Sequence, residues 1–534
     1  MSLARTQALL QNNFKKRRFN PMSLPDNPLS QETAFSSTKS DVKPQERPTV
    51  AVSGVETYNP LPPDAPTETY AAYRWYLEQA TLLVNTFKWA VLGTAVGILA
   101  GLGVRLYLYI LNHAIGFGHA LDRFGIPHFW LLPLILPLCV LLAHITTRQK
   151  AHDDLESQEG TDAVIEAIHT RSGRLDPFAI PVRLFLSILT LFGGGSVGKE
   201  GPAAQIGAMF SSLLSDLLRL SDEDRRRLVI CGVSAGFAAV FGTPISGALF
   251  GVEVLYLGRL EYPVLFPCIV AGIVGHLACG ASPPVPVLVP GNGHAHQLSQ
   301  PMLVLLSLLS GVFFGLVAML LIETMRFLDQ QLRRFASHPF WVAVFGGTAL
   351  AVLYQLAGSG YADLSEPLIR SALEGTARIM LLAFLVKIIA TSLSLKTGGA
   401  GGIVTPLFFI GSTAGAAMAQ ILHLPVPLFA RFGFVAVLAA AANTPIAASV
   451  MALELLGGHF GVEAALCACT AFLIVGHRSV FSSQYLGYSK AAGLLPTLDV
   501  PIGKIVPSDI QLHENSFIKR LERALQKRHR KEDN

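Results

Sequence analysis

Residues 241–255 read FGTPISGALFGVEVL, and residues 442–456 read ANTPIAASVMALELL. Laid on each other without a gap, Thr243-Pro244-Ile245 falls on Thr444-Pro445-Ile446 and Glu253 falls on Glu454. Upstream, in the same order, GKEGPAAQIG from Gly198 to Gly207 falls on GIVTPLFFIG from Gly402 to Gly411, pairing Pro202 with Pro406. The chain therefore contains two related halves. Halves of this kind, with apolar segments interrupted by Gly and Pro at matching places, point to a membrane transporter or channel whose site lies between the repeats near the bilayer midplane. An odd number of crossings per half would make the repeats inverted.

Composition agrees. Of 534 residues, 51% are hydrophobic and only 14% charged, and the mean hydropathy is +0.47. That is too apolar for an ordinary soluble enzyme. Runs such as PHFWLLPLILPLCVLLAHI from Pro127 and PMLVLLSLLSGVFFGLVAMLLI from Pro301 are long enough, at about 1.5 Å per helical residue, to cross a hydrocarbon core of roughly 30 Å. Such runs recur from about Trp89 to about Gly476, so a signal peptide does not explain them. A net charge of +5 gives no support to nucleic-acid binding.

The basic residues sit at the ends, in Lys15-Lys16-Arg17-Arg18 and from Lys519 to Lys531. By the positive-inside rule both termini are expected in the cytoplasm, which implies an even number of crossings. Short loops and the lack of a regulatory tail favour a bacterial-type plasma (inner) membrane. Residues 1–70 are polar, without helical or strand periodicity, and are expected to be a disordered tail. Residues 71–488 are expected to form the transmembrane domain, with repeat halves at about 88–280 and 300–488. Residues 489–534 make a short basic tail, with an amphipathic helix expected over 516–531 and no regulatory domain pair. The six cysteines show no zinc-like spacing and read as reduced core residues.

GGGSVGKEGP, residues 193–202, has the spacing of a phosphate-binding loop, but Glu200 stands where a Ser or Thr hydroxyl should hold magnesium. The flanks are also wrong: VRLFLSILTLF before it and AAQIGAMFSSLLSDLL after it read as apolar helices, not as a buried strand beside a crevice. No nucleotide, cofactor or metal is expected. What survives is the physics of a helix start near Pro202, where unpaired N–H groups and a positive dipole end favour an anion. Gly198, Lys199 and Gly201 are the candidate anion ligands here. GGAGGIVTP, residues 398–406, makes a second such start. For one copy alone, glycines that permit close helix packing are the better reading; for both in register, an anion site is.

Glu200 is the pivotal residue. A carboxylate within a membrane segment is costly unless paired, and beside a helix N-terminus it occupies the place a transported anion wants. It can serve as a gate that leaves when protonated and returns when charged; the alternative is a static helix cap, disfavoured because Val404 holds the matching place in the second copy. Glu253 and Glu454 occur in both halves and read as structural acids satisfying loop amides. Arg183, Arg105 and Lys387 are their candidate partners, or snorkelling side chains.

From roughly Lys88 to Gly487 the chain resembles the CLC family of chloride channels and proton-coupled anion transporters. GKEGP at 198–202 is similar to that family's gate motif, GGIVTP at 401–406 to its second-half motif, and the two TPI segments to its dimer-side helices. The resemblance implies an all-α integral membrane protein with a CLC-like inverted repeat of two helical halves. It implies a homodimer with one anion pore per subunit, Glu200 as the gating glutamate, and amides of Ile403 and Val404 on the central anion.

The chain departs from the family pattern at several places. Glu159-Gly160-Thr161-Asp162 replaces the segment whose serine contacts chloride, leaving Thr161 as the candidate substitute and a charged Glu159 that would repel an anion unless neutralised or turned away. The pore tyrosine is replaced by Phe481, and the usual aromatic of the second motif by Val404. On the proton pathway, which would run through Glu200, Val254 stands where proton-coupled members often carry an inner acid. The expected function is transport of a small monovalent anion, chloride first, by a channel or an anion/proton exchanger. VTPLFFIG from Val404 also resembles the fluoride-exporting branch, so a proton-coupled fluoride exporter is the alternative. An intramembrane enzyme is disfavoured: there is no H-E-x-x-H and no membrane serine with an evident base beside it.

Overall fold

The computed structural model describes residues 67–125, 127–147, 160–280, 299–376, 380–456, 460–505, 511–513, 516 and 519. The expected disordered N-terminal tail up to residue 66, most of the C-terminal amphipathic helix, and Glu159 lie outside the described residues. The described residues from Trp75 onward belong to one compact unit.

Most of the described residues are helical. The first half carries α1 (Thr67–Leu121), α2 (Leu132–Thr147), α3 (Gly160–Thr170), α4 (Ala179–Phe192), α5 (Glu200–Leu217), α6 (Asp222–Phe241), α7 (Pro244–Glu253) and α8 (Leu265–Cys279). The second carries α9 (Gln300–Leu332), α10 (Pro339–Ala357), α11 (Glu366–Glu374), α12 (Ala383–Lys396), α13 (Val404–Leu422), α14 (Val426–Ala442), α15 (Pro445–Leu456) and α16 (Gly461–Ile474). Six of the described helices are long and apolar enough to cross a membrane, including those that contain the two runs singled out from sequence. Four more apolar helices are shorter. The protein is a multi-pass integral membrane protein.

The repeat is carried into the backbone. Gly242 ends α6 and Asn443 ends α14, both in the left-handed region, with φ of 69° and 56°. Each is followed by a threonine and then by the proline that opens α7 or α15, where a missing N–H costs nothing. At the centre α5 crosses α6 and α13 crosses α14 at backbone distance. A Cβ on Gly207 would lie 1.9 Å from the Gly232 carbonyl oxygen, and one on Gly411 2.1 Å from that of Gly433. No side chain larger than hydrogen fits at either crossing.

Glu253 and Glu454 join the halves reciprocally. Glu454 accepts the N–H groups of Ile245 and Ser246 at the start of α7, at 3.0 and 2.8 Å. Glu253 accepts those of Ile446 and Ala447 at the start of α15, again at 3.0 and 2.8 Å. The structural reading of these acids holds: each satisfies two orphan donors of the opposite half. A short parallel pairing of Tyr256–Leu257 with Tyr485–Leu486 ties the end of α7 to the segment after α16.

Candidate functional site

The two glycine loops meet. The Gly198 N–H donates to Gly402 O at 2.5 Å, and the Gly402 N–H donates to Gly198 O at 2.7 Å. These residues are matched by the repeat, so the pair sits on the local two-fold relation between the halves. Gly201 completes the contact: its Cβ would lie 2.9 Å from Gly402 Cα. Hydroxyls from the helices before each loop hold the other loop. Ser196 of the first loop donates its N–H to Ser394 Oγ of α12 at 2.9 Å, and Ala400 of the second donates to Thr190 Oγ1 of α4 at 3.1 Å. The loop thus follows one helix and opens another, as expected, although α5 starts at Glu200 and not at Pro202.

Across this junction Glu200, the first residue of α5, reaches the start of α13. It is 2% exposed. Its Oε2 accepts the Thr405 N–H at 3.0 Å, and the Thr405 hydroxyl lies 2.6 Å from Oε1 and 2.7 Å from Oε2. Thr405 is the second residue of α13, so the carboxylate occupies one of the N–H groups that the helix leaves unpaired, at the positive end of its dipole. A small cleft opens beside it, lined by Lys199, Glu366, Ile369, Phe408 and Phe434 as well as Glu200 and Thr405. At the cleft, Lys199 Nζ pairs with Glu366 Oε1 at 2.6 Å. Phe408 and Phe434 stack face to face, with centroids 4.1 Å apart, and give it an apolar wall.

Two expectations for this region are corrected. Gly198 does not offer its N–H to an anion, because pairing with Gly402 consumes it; the glycine is required for loop approach. Lys387 does not snorkel. It is 0% exposed and donates to Tyr361 O, Asp363 O and Ser365 Oγ at 3.1, 2.9 and 2.9 Å, so its amino group is hydrogen-bonded inside the fold. Ile403, which caps α13, and Val404, its first residue, are buried just before Thr405. Arg105 is exposed on α1, and Cys469 is exposed where a core residue was expected, the other five cysteines being buried.

The remaining site residues come together through partners that sequence reasoning did not single out. Thr161 is buried at the start of α3, where Gly160 packs against Gly201 and Gln205 of α5. Its neighbour Asp162 accepts from the Ser482 hydroxyl at 2.6 Å and from the Ser483 N–H at 2.8 Å. The Thr161 and Phe481 segments, 320 residues apart, are thereby pinned to each other. Phe481 is buried, with its N–H on Ser479 Oγ at 3.0 Å. Val254, fully buried after the last turn of α7, gives its carbonyl to Gln484 Nε2 at 2.9 Å. Gln484 also donates to Ala442 O and accepts from Asn443, and Lys490 reaches Asn443 Oδ1 at 2.6 Å. A polar network thus meets the Val254 backbone carbonyl, while the valine itself belongs to the hydrophobic core. Asp162, Thr405 and Gln484 were all visible as polar residues in the sequence; all three bond across the halves, and they became meaningful only with the tertiary contacts.

Comparisons with known proteins converge on one family. A family model described as "Voltage gated chloride channel" matches residues 138–476. A chloride/fluoride channel protein of Pseudomonas syringae pv. tomato is 36% identical over 433 residues, covering 78% of this chain and 91% of that protein. Among solved structures, a CLC-type fluoride/proton antiporter is 27% identical and superposes with a TM-score of 0.67, over 74% of this chain and 98% of its own. A slow cyanobacterial Cl-/H+ antiporter, 20% identical with a TM-score of 0.60 over 72% and 94%, shares the fold.

Proposed function

Because the chain belongs to the voltage-gated chloride channel family of membrane anion channels and antiporters, we propose that it moves a small halide through a pore gated by Glu200. The observation that carries this reading is the seat of the Glu200 carboxylate on the Thr405 N–H and hydroxyl. While charged, the carboxylate is itself the anion at the start of α13. Once protonated it no longer needs those donors, and they become available to a halide of the same charge. The charged carboxylate and a halide thus compete for the same donors, so protonation of Glu200 and halide occupancy are linked, which is the elementary requirement for coupling the two.

Chloride is the first reading, with Gly201, Ile403, Val404, Thr161 and Phe481 around the path. A second reading, fluoride, rests on Thr405. Its hydroxyl adds a strong donor to a site whose Phe481 contributes none, and a small, hard anion gains most from such a donor. The relative from Pseudomonas is named for both ions. A homodimer with one pore per subunit, both termini in the cytoplasm and a transport unit over 71–488 complete the proposal.

The test is proton movement in liposomes holding the purified protein and driven only by a halide gradient, with chloride and fluoride compared. Uphill proton transport establishes an exchanger, in which the polar network at Gln484 stands beside the missing inner acid at Val254. Halide flux without it makes the protein a passive channel, and no flux of either ion sinks the proposal.

A further inference from the structure

Away from the Glu200 seat, the end of α1, the α1–α2 connection and the segment before α11 bring two histidines and two aspartates together. One donor atom from each of His119, His128 and Asp363 lies within 4.8 Å of the others. His119 Nε2 is 3.0 Å from Asp363 Oδ2, and the two imidazoles are 4.6 Å apart between centroids. Asp122 stands behind them. It accepts the His128 backbone N–H at 2.7 Å, lies 2.9 Å from His128 Nδ1, and is 3.6 Å from His119 Nδ1.

We propose that His119, His128 and Asp363 form a binding site for one divalent transition-metal ion of the zinc class, with Asp122 as the orienting carboxylate. The donor set, two imidazole nitrogens and one carboxylate oxygen, is one zinc takes, and it leaves a further position for water. Asp122 holds a proton on His128 Nδ1, which leaves Nε2 with a free lone pair; this carboxylate–histidine arrangement behind the ligand is how metal-binding imidazoles are fixed. The site is built and also reachable: the His128 and Asp363 side chains are 2% and 12% exposed, while that of His119 is 50% exposed and forms the open side. A hydrogen bond between His119 and Asp363 would be replaced by two bonds to the metal with little movement.

Its place gives the site a bearing on the pore. Asp363 donates its N–H to Gly194 O in the first glycine loop at 3.0 Å, and three residues later Glu366 holds Lys199. A metal there would brace that segment against the end of α1.

The test uses the full chain without a histidine tag, stripped with a chelator and titrated with zinc chloride by calorimetry and with cobalt(II) by visible absorption. We expect one site of micromolar or tighter affinity per chain and cobalt d–d bands of a low-coordinate nitrogen/oxygen site. His119→Ala, on a half-exposed side chain, and Asp363→Asn should each weaken zinc by more than the about 10–100-fold that losing an outer-shell carboxylate costs. Asp122→Asn should fall within that range. A wild type with no micromolar zinc site, or zinc binding unchanged in correctly folded His119→Ala, overturns the proposal.

Discussion

Thr405 gives both its backbone N–H and its hydroxyl to the Glu200 carboxylate, reaching from the first turn of one half into the first turn of the other. The two residues lie 205 positions apart. Under the proposed gating by Glu200, their contact makes the hydroxyl a shared donor for the carboxylate and for the anion that replaces it. Thr405→Val keeps the shape and the N–H but removes the hydroxyl. A hydrogen bond to a charged group contributes about 1.5–3 kcal/mol, so the ion that depends on it should lose roughly tenfold or more in rate. We expect fluoride flux to fall more than chloride flux, with Thr405→Ser retaining both. Equal losses for the two halides would remove the argument for fluoride.

Glu200→Gln supplies a neutral side chain of the same size, fixed in the state that protonation creates. Halide-driven proton movement should vanish. Halide flux should persist and become flat with pH, read with a halide electrode and a pH electrode on the same liposomes. A variant that keeps both the flux and its pH dependence would mean that Glu200 is a static helix cap.

Glu253 and Glu454 should behave as a matched pair of braces. Each accepts two helix N–H groups of the opposite half, and a glutamine can accept but cannot carry the charge that suits a helix start. Glu253→Gln and Glu454→Gln should each destabilise the protein by about 1–3 kcal/mol. Thermal unfolding in detergent should drop by similar amounts, with halide preference unchanged. Loss of proton coupling in Glu253→Gln at unaltered stability would instead make that acid a proton carrier.

Gly402→Ala tests the loop junction. Its Cβ would lie 2.6 Å from the Gly201 nitrogen, and both Gly198–Gly402 hydrogen bonds would have to stretch. Overpacking of this kind costs about 1–3 kcal/mol. The same change at Gly116, where a Cβ meets nothing within 4 Å, is the control. We expect lost transport and lower unfolding temperature for Gly402→Ala alone.

Much of the fold was legible because a repeat and a hydropathy pattern are properties of the chain itself. The Thr-Pro-Ile segments, the glycine loops and the apolar runs each report a local backbone demand: a left-handed residue, a helix start without an N–H, a span of lipid. Glu200 was also legible, since a lone acid in an apolar segment must have a purpose. Glu253 and Glu454 could be read as structural from their symmetry, though not with whom they bond.

The partners were hidden because they are separated by about half the chain. Within GGIVTP the resemblance implies the amides of Ile403 and Val404, and nothing in the run marks Thr405. Gly198 looked like an anion ligand, yet its N–H is spent on its own repeat mate. Asp162 stood next to a candidate pore residue and proved to be the link to the Phe481 segment. His119, Asp122 and His128 have no motif spacing with Asp363, and nothing short of folding brings them to one place.

By itself, then, the sequence determined that this protein crosses the membrane many times as two related halves and that each glycine loop opens a helix, because periodicity, glycine, proline and burial cost act locally. Only the tertiary structure decided which donor holds Glu200, which glycine amide is consumed, and which buried charges are satisfied. Those are matters of distances of about 3 Å between residues far apart in the chain, and hydrogen bonds weaken steeply beyond such distances.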